Sequence, residues 1–251
     1  MLDQAGEHRE ASELHREALE QTRAADPDAG VHPIVGFNYA STLAAIGELD
    51  SALAWYEQAA VSGHSRQVPD IERRAYMGIA RTNARLGRIR PAREAFARML
   101  ALARAQQKPM SRESTFVAAT IARAEGDLPR AADGLTAMLR QYGWFEGKRT
   151  PAMRPALGEL SRIDLLRGDP AAALVHARAI REVVTVDSIA ELRSADLGEA
   201  DLLEARAYAA LAAPDSARQY ARAALAALTV GAGESSPLTR EAKALADSLG
   251  P

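Results

Sequence analysis

Apolar residues recur along this chain in steps of four and then three, with polar residues filling the gaps. Ala52, Tyr56 and Ala59 follow that spacing, as do Ala92, Phe96 and Met99, and Ala131, Leu135 and Met138. Such steps return to one face of an α-helix, whereas a half-buried strand would alternate residue by residue. Each triplet therefore predicts an amphipathic helix whose buried stripe begins on a small residue and continues on larger ones.

Ahead of each stripe stands a turn signal. Glycines at Gly6, Gly47, Gly87, Gly126 and Gly168 are 41, 40, 39 and 42 residues apart, and five residues after each comes an alanine: Ala11, Ala52, Ala92, Ala131 and Ala173. A period of this length marks an array of structural repeats. Glycine enters the left-handed region without Cβ strain and so closes a tight turn between antiparallel helices. Alanine then lets the second helix approach the first. One turn further along come His15, Tyr56, Phe96 and Leu135, and three residues later Ala18, Ala59, Met99 and Met138. A further copy, LAAPDSARQYARAAL, has Ala212 in the glycine slot and Ala217 in the alanine slot.

AIGELDSALAWYEQAA, RLGRIRPAREAFARML and AEGDLPRAADGLTAML resemble the second helix of the tetratricopeptide repeat (TPR) family, in its long-period, kinesin-light-chain-like form found in bacterial signalling proteins. LRGDPAAALVHARAI is a weaker copy, with Ala177 in place of the aromatic residue. The period exceeds the usual length of about 34 residues, implying longer helices or connections. The resemblance implies an all-α superhelix, a TPR-like solenoid. It would comprise a half repeat (1–30), five hairpins (31–65, 66–108, 109–146, 147–190 and 191–231) and a capping helix (232–251) introduced by Ser236 and Pro237. The array opens mid-repeat, so the chain is expected to be part of a longer protein. Asp164 and Glu204 fall where the family pattern is apolar, and RQYGWFEGKRTPAMRP is the longest irregular connection, where a bend is expected.

Composition agrees with an all-helical chain. Of 251 residues, 47% are hydrophobic, 25% charged and only 5% aromatic, so helix formers dominate over residues that favour sheets. The net charge of -2 gives no global field to gather nucleic acid or an anionic membrane, so neither is an expected partner. All but Lys108, Lys148 and Lys243 of the 31 basic residues are arginine, a bias read first as that of a GC-rich bacterial genome. No cysteine is present, which removes disulfides and thiolate chemistry. No apolar run approaches the ~20 residues of a membrane helix, and MLDQAGEHRE lacks the apolar core of a signal peptide, so a cytoplasmic location is expected.

The five histidines are scattered, and no catalytic residue, metal set or cofactor is nominated. His8 and His15 stand two turns apart, a spacing read as helix surface or groove filler rather than a metal pair. GAGESS lacks the final glycine and preceding strand of a dinucleotide loop and is read as a turn.

The resemblance places a concave wall on the first helix of each hairpin. Its ninth positions become Ser41, Arg81, Thr120, Arg162 and Arg206, and neighbouring inner positions supply Asn38, Arg74, Met77, Arg85, Phe116 and Arg123. Planar guanidinium groups along such a wall would suit an acidic or phosphorylated segment. Asn38 and Arg74 also match two positions of the family's carboxylate clamp, but Gly78 replaces its last basic residue, which argues against a chaperone-tail clamp. Trp144 and Phe145 are read either as an exposed anchor for a partner or as a cover folded over the junction between hairpins. The unpaired N-terminal helix, with its stripe Ala11, Leu14 and Ala18, offers a surface for weak self-association. The function expected is a protein- or peptide-binding scaffold without enzymatic activity, or alternatively a ligand sensor that passes a change of curvature to an attached effector.

Overall fold

The computed structural model describes residues 7–25, 30–184 and 194–250. Among them are twelve α-helices and no strand. The helices are α1 (His8–Ala25), α2 (Pro33–Ile46), α3 (Leu49–Ser65), α4 (Pro69–Arg85), α5 (Ile89–Ala105) and α6 (Arg112–Ala124). They continue with α7 (Leu128–Tyr142), α8 (Arg154–Leu166), α9 (Pro170–Val183), α10 (Ala195–Ala210), α11 (Pro214–Gly231) and α12 (Pro237–Ser248).

The chain forms two compact units, Glu10–Asp127 and Leu128–Pro251 with Met1–Arg9. In the first, α2 pairs with α3 and α4 with α5, while α4 also packs on α2 and α6, making an inner row α2, α4, α6 and an outer row α3, α5. In the second, α8 pairs with α9 and α10 with α11. There α8 and α10 touch side by side, α7 packs on α8, and α12 packs on α11.

The turns follow the glycine logic. Gly47, Gly87, Gly126 and Gly168 all have φ between +71° and +89°. At Gly87, Gly126 and Gly168 an added Cβ would meet nothing within 4 Å, so conformation and not space demands the glycine. Ala212 takes the same left-handed conformation at φ 56°, with the strain glycine avoids. Gly6 lies outside the described residues.

Five residues on, Ala52, Ala92, Ala131, Ala173 and Ala217 are all fully buried. A methyl group there lets each second helix lie close against its partner, and the next residues of the stripe fill what remains. Tyr56 and Leu135 are each 1% exposed, and Met99 and Met138 are buried with them. Burying one such side chain stabilises by roughly 1.5–3 kcal/mol, so the repeated stripe is the main source of cohesion. Helix starts are marked by Pro33, Pro69, Pro170, Pro214 and Pro237, each in a first turn where a missing N–H costs nothing. Side-chain caps come from Ser111 to the Ser114 amide (3.2 Å) and Asp169 to the Ala172 amide (3.0 Å).

Asp164 and Glu204 lie inside α8 and α10, both buried. His176 Nδ1 donates to Asp164 at 2.7 Å, and Arg178 Nε and Arg181 Nε lie 3.5 and 3.4 Å from the Glu204 carboxylate. Acidic residues stand at normally apolar positions here because the adjoining helix α9 supplies their partners, as burial of a carboxylate requires.

Candidate functional site

On the inner helices of the first unit, α2 carries Asn38 and Ser41, α4 carries Arg74, Met77, Arg81 and Arg85, and α6 carries Phe116, Thr120 and Arg123. On α4, Arg74, Met77, Arg81 and Arg85 are spaced three, four and four residues apart, one stripe of the helix. The Arg74 guanidinium stacks 4.4 Å above the ring of Phe37 on α2. Stacking uses the face of the cation and leaves its N–H edge available for an anion. Arg85 donates to the Ala44 carbonyl at 2.7 Å, at the C-terminal end of α2, where a cation meets the negative end of the helix dipole. Arg81 forms no hydrogen bond or ion pair among the described residues. Asn38 is exposed, Arg81, Met77 and Arg123 are half-buried, and Phe116 and Thr120 are buried. Those last two pack within the chain, the Thr120 hydroxyl donating to the Phe116 carbonyl at 2.9 Å, so they do not present an open wall.

Past their first turns, α2, α4 and α6 carry no acidic residue. Asp70 is held by Lys108 and lies 3.9 Å from Arg73, and the Lys108 hydrogen bond keeps its carboxyl below the usual range. Glu72 is buried beside His64, 3.3 Å away. Beyond Asp70, whose carboxylate also feels the charge of Arg74, no acidic residue of the inner row faces Arg74 or Arg81 in an ion pair among the described residues.

A feature not anticipated from sequence is the hydroxyl of Tyr56. This residue lies on outer helix α3, yet its Oη donates to Ser41 Oγ on α2 at 3.1 Å. Its ring runs under Gly78, where a Cβ would lie 2.6 Å from Cε1. A side chain at position 78 would have to displace that ring, so the carboxylate-clamp pattern meets a steric obstacle there as well as a chemical one.

The second unit corrects the expectation of open cations at Arg162 and Arg206. Arg162 is bound by Glu199 and lies 3.6 Å from Glu159, and Arg206 is paired with Glu241. Burial works against the charge on Arg162, but the carboxylates of Glu199 and Glu159 outweigh it and hold the guanidinium above its ordinary range. Arg154 adds contacts to Asp196 (3.0 Å) and Glu199 (3.3 Å). The inner helices α8 and α10 thus carry Glu159, Asp196 and Glu199 in a matched network, without a surplus of positive charge.

His8 and His15 have separate partners. His8 donates through Nε2 to Asp196 at 3.2 Å, and His15 Nδ1 lies 3.1 Å from Thr42 Oγ1. Among the described residues no group of three or more His, Asp or Glu side chains could hold a metal ion. On α1, Ala11 is buried while Leu14 and Ala18 are exposed. The aromatic pair divides: Trp144 is half-buried with the Arg149 guanidinium 3.6 Å over its ring, and Phe145 remains 60% exposed. Arg149 is itself tied to Glu182 at 2.7 Å, which fixes it over Trp144. No helix of the described chain is long and apolar enough to cross a membrane.

Glycine-turned hairpins stacked through buried alanines define an all-α superhelical repeat of the tetratricopeptide type. No protein-family model matches the chain, and no curated protein does. Solved structures do match in fold. BtubC (BKLC) from P. vanneervenii superposes with a TM-score of 0.51 at 18% identity over 89% of both chains. NprR in complex with its cognate peptide NprX gives 0.65 at 13% identity, covering 96% of this chain and 66% of that one. The APC/C hetero-tetramer Cut9–Hcn1 gives 0.59 at 13% identity, covering 97% of this chain and 46% of that one. The chain therefore spans about two thirds of the NprR chain and under half of the Cut9–Hcn1 chain. At these identities the likeness is one of architecture.

Proposed function

We propose that this chain is a non-enzymatic scaffold module that holds an acidic protein or peptide segment against the inner face of α2, α4 and α6, within a bacterial regulatory protein. The observation that carries the reading is the arginine stripe of α4 lying on an inner row that has no carboxylate beyond its first turns. Guanidinium groups pair with carboxylate or phosphate in a planar, two-pronged geometry, and Arg74 and Arg81, without ion pairs among the described residues, would attract an acidic chain over several ångströms. The matched NprR structure holds a peptide, which supports a peptide as the guest of this architecture.

Titration of a fluorescent acidic peptide against the protein tests the reading. Binding is expected to weaken steeply with salt and to be lost in Arg74→Glu combined with Arg81→Glu. Binding that survives that double reversal, or that depends instead on outer-row residues such as Arg104, would remove the inner row as the site.

A further inference from the structure

Resting on that reading, we infer that the guest is an extended segment with two anionic side chains three residues apart, one met by Arg74 and the other by Arg81. Seven helical residues separate the two arginines, a rise of about 10 Å at 1.5 Å per residue, and being two turns apart they share one side of α4. Both are available to a guest: neither forms an ion pair among the described residues, and the Arg74 stack on Phe37 orients that guanidinium without consuming its N–H edge. Between them Met77 is half-buried, and Gly78 is buried with the ring of Tyr56 on α3 filling the space a side chain there would need. The spacing of the two arginines therefore selects the guest, and an extended segment meets both within four residues.

In a polyproline-II chain, side chains three residues apart project to the same side, and at 3.1 Å per residue they are about 9 Å apart, close to the arginine separation. A two-residue spacing turns the second anion away, and a six-residue spacing, though on the same side, puts it about 19 Å from the first. The recognised chemistry is thus a pair of carboxylates, or of phosphates on hydroxyl residues, at i and i+3 of a proline-rich or otherwise extended segment. Arg206 and Arg162 are already matched by carboxylates of their own unit and offer no comparable pair.

The test uses proline-rich peptides carrying two aspartates, with two, three or six residues from one to the next, and a fourth carrying a single aspartate. Affinity is measured by anisotropy with the full chain, and a phosphoserine pair at the three-residue spacing separates phosphate from carboxylate as the preferred anion. The three-residue peptide is expected to bind on the order of tenfold more tightly than the others, since each charge-assisted pair is worth about that factor. Arg81→Gln and Arg74→Gln should each reduce it to the level of the single-aspartate peptide, and Arg104→Gln should not. Equal affinity for all spacings, or a preference that persists in Arg81→Gln with unchanged circular dichroism, overturns the inference and leaves the acidic-segment reading standing. Tightest binding by a helical peptide with acidic residues seven apart overturns the extended geometry in the same way. Failure of every acidic peptide to bind the unaltered chain removes both.

Discussion

The ring of Tyr56 occupies the space that a side chain on Gly78 would need: a Cβ there would lie 2.6 Å from Tyr56 Cε1. An outer helix and an inner helix therefore meet ring against backbone, and the Tyr56 hydroxyl passes on to Ser41. Gly78→Ala is expected to lower stability by about 1–3 kcal/mol, the usual result of overpacking a rigid site. Chemical denaturation checks it, and an unchanged midpoint would mean that the ring moves aside freely. Tyr56→Phe keeps the ring and removes the hydroxyl, and should cost about 1 kcal/mol.

Ala212 is expected to improve on replacement by glycine. It holds φ 56° in an exposed turn where the other hairpins place glycine. Relief of roughly 1–2 kcal/mol of left-handed strain is partly offset by the greater freedom of glycine in the unfolded chain. A net gain of about 0.5–1 kcal/mol should appear in the thermal midpoint of Ala212→Gly, and a loss would show that the turn is relaxed as it stands.

Glu204 is 1% exposed, but its partners Arg178 and Arg181 keep side-chain exposures of 55% and 37%. Removal of the carboxylate lets both arginines turn to water, and Arg181 retains Asp201. Glu204→Ala should therefore cost about 1–2 kcal/mol, less than the breaking of a fully enclosed ion pair. In a double-mutant cycle with Arg181→Ala the two losses should add up to more than the double variant shows. Strict additivity would mean that the pair contributes nothing.

Alkaline pH supplies a further test. Burial, then the charge of Glu204 and the neighbouring phenol of Tyr208, push the Tyr220 phenol above its ordinary pKa. A raised folded-state pKa means that the folded chain prefers the protonated phenol. The associated stability is complete below the unfolded value of about 10 and is lost as pH rises through the folded value. Unfolding free energy should fall over that alkaline window, and Tyr220→Phe should flatten the fall. Ultraviolet titration showing Tyr220 ionising with the exposed tyrosines would contradict it.

The turns and the stripe were legible because they are steric facts local to a few residues. A glycine every forty residues and an alanine five further on state where helices reverse and how near they come, and the buried Ala52, Ala92, Ala131, Ala173 and Ala217 follow. The charges were less legible. Helical periodicity puts Arg162 on a face of α8 but does not say that Glu199, 37 residues away, reaches the same place. The misfit acids Asp164 and Glu204 were visible signals of a separate set of ion pairs, and basic residues one helix away, His176, Arg178 and Arg181, were the missing half. Phe116 and Thr120 were placed on an inner face by position alone, whereas neighbours of the short helix α6 enclose them. Tyr56 belongs to the buried stripe by its spacing, and nothing in a one-dimensional pattern directs its hydroxyl to Ser41.

The alanine column leaves a division of labour in each hairpin. The residues that set the distance between helices are methyl groups sealed from solvent, while those on α4 that would greet a guest, Arg74 and Arg81, stand beside the buried Ala75 and Ala80 and keep part of their surface in water. A charge at position 81, which forms no hydrogen bond or ion pair among the described residues, can be exchanged or reversed while the alanine contacts that set the distance between helices stay as they are. Such a frame lets descendants change clientele quickly and architecture hardly at all.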